Sequence, residues 1–185
     1  MVLTHKILLC LSSVLFASCL NSSSKPPALW VNALDSEINS LGALNWIIVT
    51  DSSFPALGNS VSHTIISPTD LPSTLHEVIQ SMESSGHVKP RIYVTRESQE
   101  LQEDYAPGIT RHREKLHEAL HGYEAYALPE STMRSIVLES GKKYRILVIK
   151  SQTSLPYTSV YVELESGYWD SESETALRKH MENGR

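Results

Sequence analysis

Two spacings of hydrophobic residues alternate along the chain. Leu29, Ala33, Ile38 and Leu41 recur at roughly helical intervals, and Gly42 directly after them predicts a helix over 28–41 closed by a glycine cap. Trp46-Ile47-Ile48-Val49-Thr50 is a short apolar run of the kind that forms a strand buried on both faces. It ends at Asp51, which begins the polar loop Asp51-Ser52-Ser53-Phe54-Pro55. Residues 62–66 predict another short strand, and Leu71, Leu75, Val78, Ile79 and Met82 mark a helix that Gly86 ends. Pro90 opens a predicted strand through Ile92 and Val94, while 97–105 is acidic and has no clear period. Beyond it lie a charged surface helix over 110–120 stopped by Gly122, a strand over 123–127, and a helix from Pro129 to about Gly141. Tyr144-Arg145-Ile146-Leu147-Val148-Ile149 reads as a second buried strand, Val160-Tyr161-Val162-Glu163-Leu164 as a strand with one wet face, and 171–181 as a terminal helix. Helices alternating with short buried strands predict an α/β chain: one layered sheet with flanking helices, no internal repeat and no dividing linker.

The first residues do not belong to that pattern. His5 and Lys6 precede an apolar run over 7–16, and the small residues Ala17 and Ser18 stand just before Cys19, the layout of a secretory signal peptide. The run is too short to span a bilayer as a helix. Leu15-Phe16-Ala17-Ser18-Cys19 also resembles a bacterial lipoprotein signal, in which the cysteine carries the lipid. The expected organisation is a signal segment over 1–19, a flexible tether over 20–28 and one folded domain over 29–185. The expected location is exported: periplasmic or membrane-anchored through a lipid on Cys19, otherwise secreted. With Cys10 and Cys19 both in the leader, the domain has no thiol for a disulfide or for catalysis.

Charge and aromatic content narrow the partners. Sixteen Lys and Arg against 21 Asp and Glu give a net charge of −5, which argues against a nucleic-acid partner. Eight Tyr and 3 Trp against 2 Phe favour rings that carry a polar handle, which suits a sugar ligand as well as a half-buried core.

His117-Glu118-Ala119-Leu120-His121 matches the H-E-x-x-H string of zinc hydrolases, where two histidines on one helix face hold the metal and the glutamate acts as base. Gly122 follows at once and no third ligand stands at a fitting spacing, so the ordinary reading is the wet face of an amphipathic helix. No nucleophile elbow and no glycine-rich phosphate loop is present. What remains are polar residues at the ends of buried strands: Asp51 after one, Lys150 and Ser151 after the other. Ligands of open α/β sheets bind at the carboxyl ends of strands, so Asp51 and the loop after Ile149 are expected to share a pocket. A carboxylate beside Tyr and Ser hydroxyls can hold several sugar hydroxyls; taken alone, Asp51 equally suits a loop-capping role.

The segment Leu41-Gly42-Ala43-Leu44-Asn45-Trp46 leading to Asp51-Ser52-Ser53-Phe54-Pro55, with Lys150-Ser151-Gln152, Pro156-Tyr157-Thr158-Ser159-Val160 and Glu165-Ser166-Gly167, resembles the D-ribose pyranase / L-fucose mutarotase (RbsD/FucU) family, in order over almost all of the mature chain. The resemblance implies an α/β domain, ring-shaped oligomers with sites at subunit contacts, and interconversion of cyclic forms of a free monosaccharide without metal or cofactor. It places Asp51, Tyr157, Thr158 and Ser159 as sugar-binding residues, with Ser159 where the family usually has Asn. Glu130 and Arg134 are the ionisable residues in the segment corresponding to a second basic group, and with Tyr157 they are the catalytic candidates. The departure is Ala43, which stands where the family's catalytic His follows Leu-Gly. Opening a pyranose needs a base on the anomeric hydroxyl and an acid on the ring oxygen, and losing one such group costs about 100- to 10,000-fold. Three expectations therefore stand together: a monosaccharide-binding protein with isomerase activity, a non-catalytic sugar-binding or assembly protein on the same scaffold, and, distantly, a zinc hydrolase through His117, Glu118 and His121.

Overall fold

The computed structural model describes residues 29–58 and 62–183; the expected signal segment, Cys19 and the tether lie outside them. The elements run α1 (Leu29–Ser40), β1 (Trp46–Thr50), β2 (Ser62–Ile66), α2 (Leu71–Ser85), β3 (Val88–Thr95), α3 (Glu97–Glu100), α4 (Ile109–Ala119), β4 (Ala125–Leu128), α5 (Glu130–Ser140), β5 (Ile146–Lys150), β6 (Val160–Ser166) and α6 (Ser171–Asn183). All six strands join one sheet in the order β2-β5-β1-β6-β3-β4. β2, β5 and β1 are parallel neighbours, β6 runs antiparallel between β1 and β3, and β4 is parallel to β3. Consequently the carboxyl ends of β1 to β5 and the start of β6 all lie along one edge.

The sheet is covered on both faces, which explains why β1 and β5 are apolar without alternation. On one face Ile47, Val49, Leu147, Ile149, Val160 and Val162 pack against Leu34 and Ile38 of α1, Leu75 and Met82 of α2 and Leu116 of α4. On the other, Trp46, Ile48, Val148 and Tyr161 pack under Met133 and Val137 of α5 and under Phe54. Each such side chain, fully buried, contributes roughly 1.5–3 kcal/mol. α6 buries none of its side chains. No helix among the described residues is long and apolar enough to cross a membrane.

Several local expectations are corrected. Gly42 does not carry the left-handed turn after α1; Leu44 does, at φ 71°, and its N–H reaches the Leu164 carbonyl at 2.8 Å. The edge of the sheet holds that turn, so an unfavourable φ for leucine is tolerated there. β3 begins at Val88 rather than at Pro90, and β6 has no wet face over its first half, because β1 and β3 flank it and α5 covers Tyr161. Gly86 does act as expected, ending α2 at φ 66°.

Gly167 has a different reason to be glycine: a Cβ there would sit 2.5 Å from the Gly86 carbonyl oxygen and 3.0 Å from the His87 carbonyl carbon. The Gly167 N–H donates to the His87 carbonyl at 2.9 Å, so two backbones are in direct contact. Gly167→Ala is expected to destabilise the fold by about 1–3 kcal/mol through overpacking. Urea denaturation checks this, and a midpoint equal to that of the natural chain would refute the close contact.

Candidate functional site

The strand-end edge collects most of the polar residues singled out in the sequence. Thr50 and Lys150 are register partners at the ends of β1 and β5. Thr50 Oγ1 lies 2.7 Å from Ser159 Oγ, a buried link between residues 109 positions apart. Asp51, the next residue, folds its loop back on itself: Oδ1 accepts from the Ser53 N–H at 2.8 Å and from the Ser53 hydroxyl at 2.5 Å. Oδ2 receives only a long contact from the Thr50 hydroxyl, at 3.4 Å. Asp51 therefore both caps its loop and keeps an oxygen available.

The loop after β5 is fastened to the same place. The Ser151 N–H and hydroxyl both donate to the Thr50 carbonyl, at 2.9 and 2.8 Å, and the Ser52 N–H donates to the Thr153 carbonyl at 2.9 Å. The residues on either side of Asp51 are thus both bonded to this loop. Tyr157 turns the loop at φ 55°, rare for an aromatic residue, and the Thr95 hydroxyl donates to its carbonyl. Thr158 is buried and its hydroxyl donates to the Leu155 carbonyl at 2.9 Å, so it closes the turn.

α5 brings in the remaining candidates. The Glu130 N–H donates to both oxygens of Glu97, at 3.1 and 3.0 Å, which anchors the start of the helix. One turn on, Arg134 Nη2 donates to Glu130 Oε1 at 2.9 Å. Beneath them is a residue that the sequence reading treated as ordinary strand: Tyr161, 1% exposed. Burial first, and then the charge of Glu130, push its phenol up to about 12, with Asp51 adding to the rise. Arg134 and a hydrogen bond with Ser159 oppose it. The phenol is consequently neutral and able to donate a hydrogen bond across the whole physiological range. Ser159 bonds that hydroxyl, and the charges of Asp51, Glu130 and Arg134 all act on it. The signal was available: Ser159 directly precedes β6 and stands two residues before Tyr161, the spacing that shares a face in extended backbone.

Two cavities adjoin this cluster. Ile48, Phe54, Leu57, Arg134, Val137 and Tyr161 border one of about 200 Å³. The Tyr157 side chain lies elsewhere, in a neighbouring cleft of about 370 Å³ with Arg96, Glu97, Leu101, Tyr105 and Pro129. Tyr157 and Tyr161 are thus not part of one cavity, and Glu97, which holds the Glu130 N–H, lines the one with Tyr157.

The other sequence candidates are placed apart. His117 and Glu118 are exposed on α4, but the helix ends at Ala119, so His121 falls outside it and the two histidines do not share a helical face. Among the described residues no group of three or more His, Cys, Asp or Glu side chains is arranged to hold a metal ion. Ala43 is exposed in the turn before β1, on the sheet edge opposite Asp51.

No protein-family model matches the chain, and no curated protein matches it by sequence. Among solved structures, it is similar to Bacillus subtilis RbsD complexed with D-ribose, with a TM-score of 0.52 and 12% identity over 71% of this chain and 89% of that one. The six-stranded sheet with flanking helices is therefore an α/β fold shared with RbsD.

Proposed function

We propose that this chain binds a free monosaccharide at the strand-end edge around Asp51, Ser159 and Tyr161. The observation that carries this reading is the meeting of a carboxylate, a serine hydroxyl, a neutral phenol and the Glu130–Arg134 pair at one place on a fold shared with a protein solved with D-ribose. Carboxylates and phenols in that arrangement accept from and donate to adjacent sugar hydroxyls, while Glu130 is the group able to take the anomeric proton and Arg134 the group able to face the ring oxygen. Interconversion of cyclic forms is the activity this chemistry supports.

The non-catalytic binding reading has its own support in Ala43, which offers no titratable group. Geometry adds a condition. β1 is five residues long, so positions 43 and 51 lie roughly 17 Å or more apart along the strand. One copy cannot place both in one pocket; a site that uses position 43 needs a second copy of the chain.

The test is magnetisation-exchange NMR between the anomers of D-ribose, L-fucose and other monosaccharides, with and without protein, together with titration of each sugar. Saturable sugar-induced shifts that disappear in Asp51→Ala are expected. No shift with any monosaccharide, or unchanged binding in Asp51→Ala, would sink the proposal.

A further inference from the structure

On the other face of the same sheet edge, between the start of α2, the face of α4 and the loop after β5, lies a cleft of about 410 Å³ that no part of the sugar reading uses. Its polar walls are Asp70, Arg111, His112, Lys115, Thr153 and Ser154. In a chain of net charge −5 this cleft sets two cations against one carboxylate.

The carboxylate is already committed. Asp70 caps α2, accepting from the Ser73 N–H at 3.0 Å through Oδ1, and its Oδ2 takes the Lys115 ammonium at 2.7 Å. Burial alone would raise the Asp70 carboxyl, but Lys115 and Ser73 overcome it and hold it near 2. Lys115 has three ammonium protons and spends one on this bond. Arg111 is exposed and has no hydrogen bond or ion pair among the described residues. The Ser154 hydroxyl has only a 3.5 Å contact with the Ser52 hydroxyl.

His112 supplies an independent observation. It is 5% exposed and its Nε2 has no hydrogen-bond partner, an uncommon state for a buried polar atom. Burial first, then Lys115 and Arg113, lower its pKa against the opposing charge of Asp70, so it stands neutral in the wall. The Gly108 and Thr110 N–H groups at the start of α4 are not available to a ligand, because Glu103 accepts from both. Whatever binds here is recognised by side chains.

We propose that this cleft binds a phosphate group, held by the free guanidinium of Arg111, the unused protons of Lys115 and the Ser154 hydroxyl, with His112 behind it. A phosphate offers several oxygens at once to a planar guanidinium fork, an ammonium and a hydroxyl, which a single neutral hydroxyl does not. The inference stands independently of sugar binding at Asp51, although the loop carrying Thr153 and Ser154 is shared by both places.

The experiment is an NMR titration that follows the His112 ring signals and the Arg111 Nε–H signal, with inorganic phosphate, D-ribose 5-phosphate and D-ribose as separate probes. Saturable shifts with either phosphate-bearing probe are expected, with no matching shift from D-ribose. The two phosphate arms show whether a free anion or a phosphorylated sugar is preferred. Removing a charge-assisted bond in Arg111→Gln should weaken binding about tenfold or more. Because Arg111 is exposed and unpartnered, this variant should keep the natural denaturation midpoint, and Ser154→Ala supplies a second, milder loss. Absence of saturable shifts with both phosphate probes, equal binding by Arg111→Gln, or the same His112 response to D-ribose would each overturn the proposal. If phosphate binds here while no sugar binds at Asp51, the sugar reading falls and this one stands.

Discussion

Replacing Ala43 by histidine is expected to accelerate anomer exchange by about 100- to 10,000-fold, equivalent to roughly 3–5 kcal/mol of barrier. The expectation combines the chemistry of ring opening, which needs a proton carrier near neutral pH, with the resemblance that places a histidine at this position. Position 43 is exposed in a turn and carries no left-handed backbone angle, so the substitution has room and little conformational cost. Its separation from Asp51 along β1 means the gain requires two copies meeting edge to edge. Light scattering on the same sample therefore belongs to the experiment: a strictly monomeric protein should show no gain. Should the natural chain already exchange anomers rapidly, with Ala43→His changing nothing, the binder reading is eliminated. Glu130, Arg134 and Tyr157 then become the residues to replace.

Tyr161→Ala is expected to destabilise the fold by about 3–5 kcal/mol, since it empties a ring-sized volume from the layer that Met133, Val137, Ile48 and Trp46 share. Tyr161→Phe keeps the ring and should retain most of that stability at neutral pH. The two tyrosine states differ at alkaline pH, and the sign follows from proton binding. The phenol ionises near 10 when unfolded and near 12 when folded. Above pH 10 the unfolded chain releases the proton first, so stability present below 10 is lost as pH rises toward 12. Tyr123 is also raised to about 12, by burial and by Glu83, so the whole chain has an alkaline limb. The difference between the natural protein and Tyr161→Phe isolates the Tyr161 share, about 2–3 kcal/mol across that interval. Urea denaturation at a series of pH values measures it; identical alkaline limbs in the two proteins would contradict the buried environment of this hydroxyl.

Much of the fold was written in local pattern. β1 and β5 were legible because four consecutive apolar residues, Trp46 to Val49 and Ile146 to Ile149, suit a short strand covered on both faces, and α2 because its apolar stripe and its glycine stop agree. That Asp51 and the 151–159 loop come together was legible too, since they follow two such strands and parallel neighbours deliver their ends to one edge. The residues of one segment could not reveal their partners. Val160-Tyr161-Val162-Glu163-Leu164 alternates like a half-wet strand, yet its insertion between β1 and β3 and the passage of α5 over Tyr161 bury it. Gly42 looks like a helix stop, while the contact with Leu164 puts the left-handed turn on Leu44. Tyr157 and Tyr161 are four residues apart but line different cavities, and Ala43 sits at the far end of the strand that leads to Asp51. Periodicity along a chain records how each segment meets solvent. Register and layer order decide which side chains meet one another, and those are set by contacts between residues a hundred positions apart.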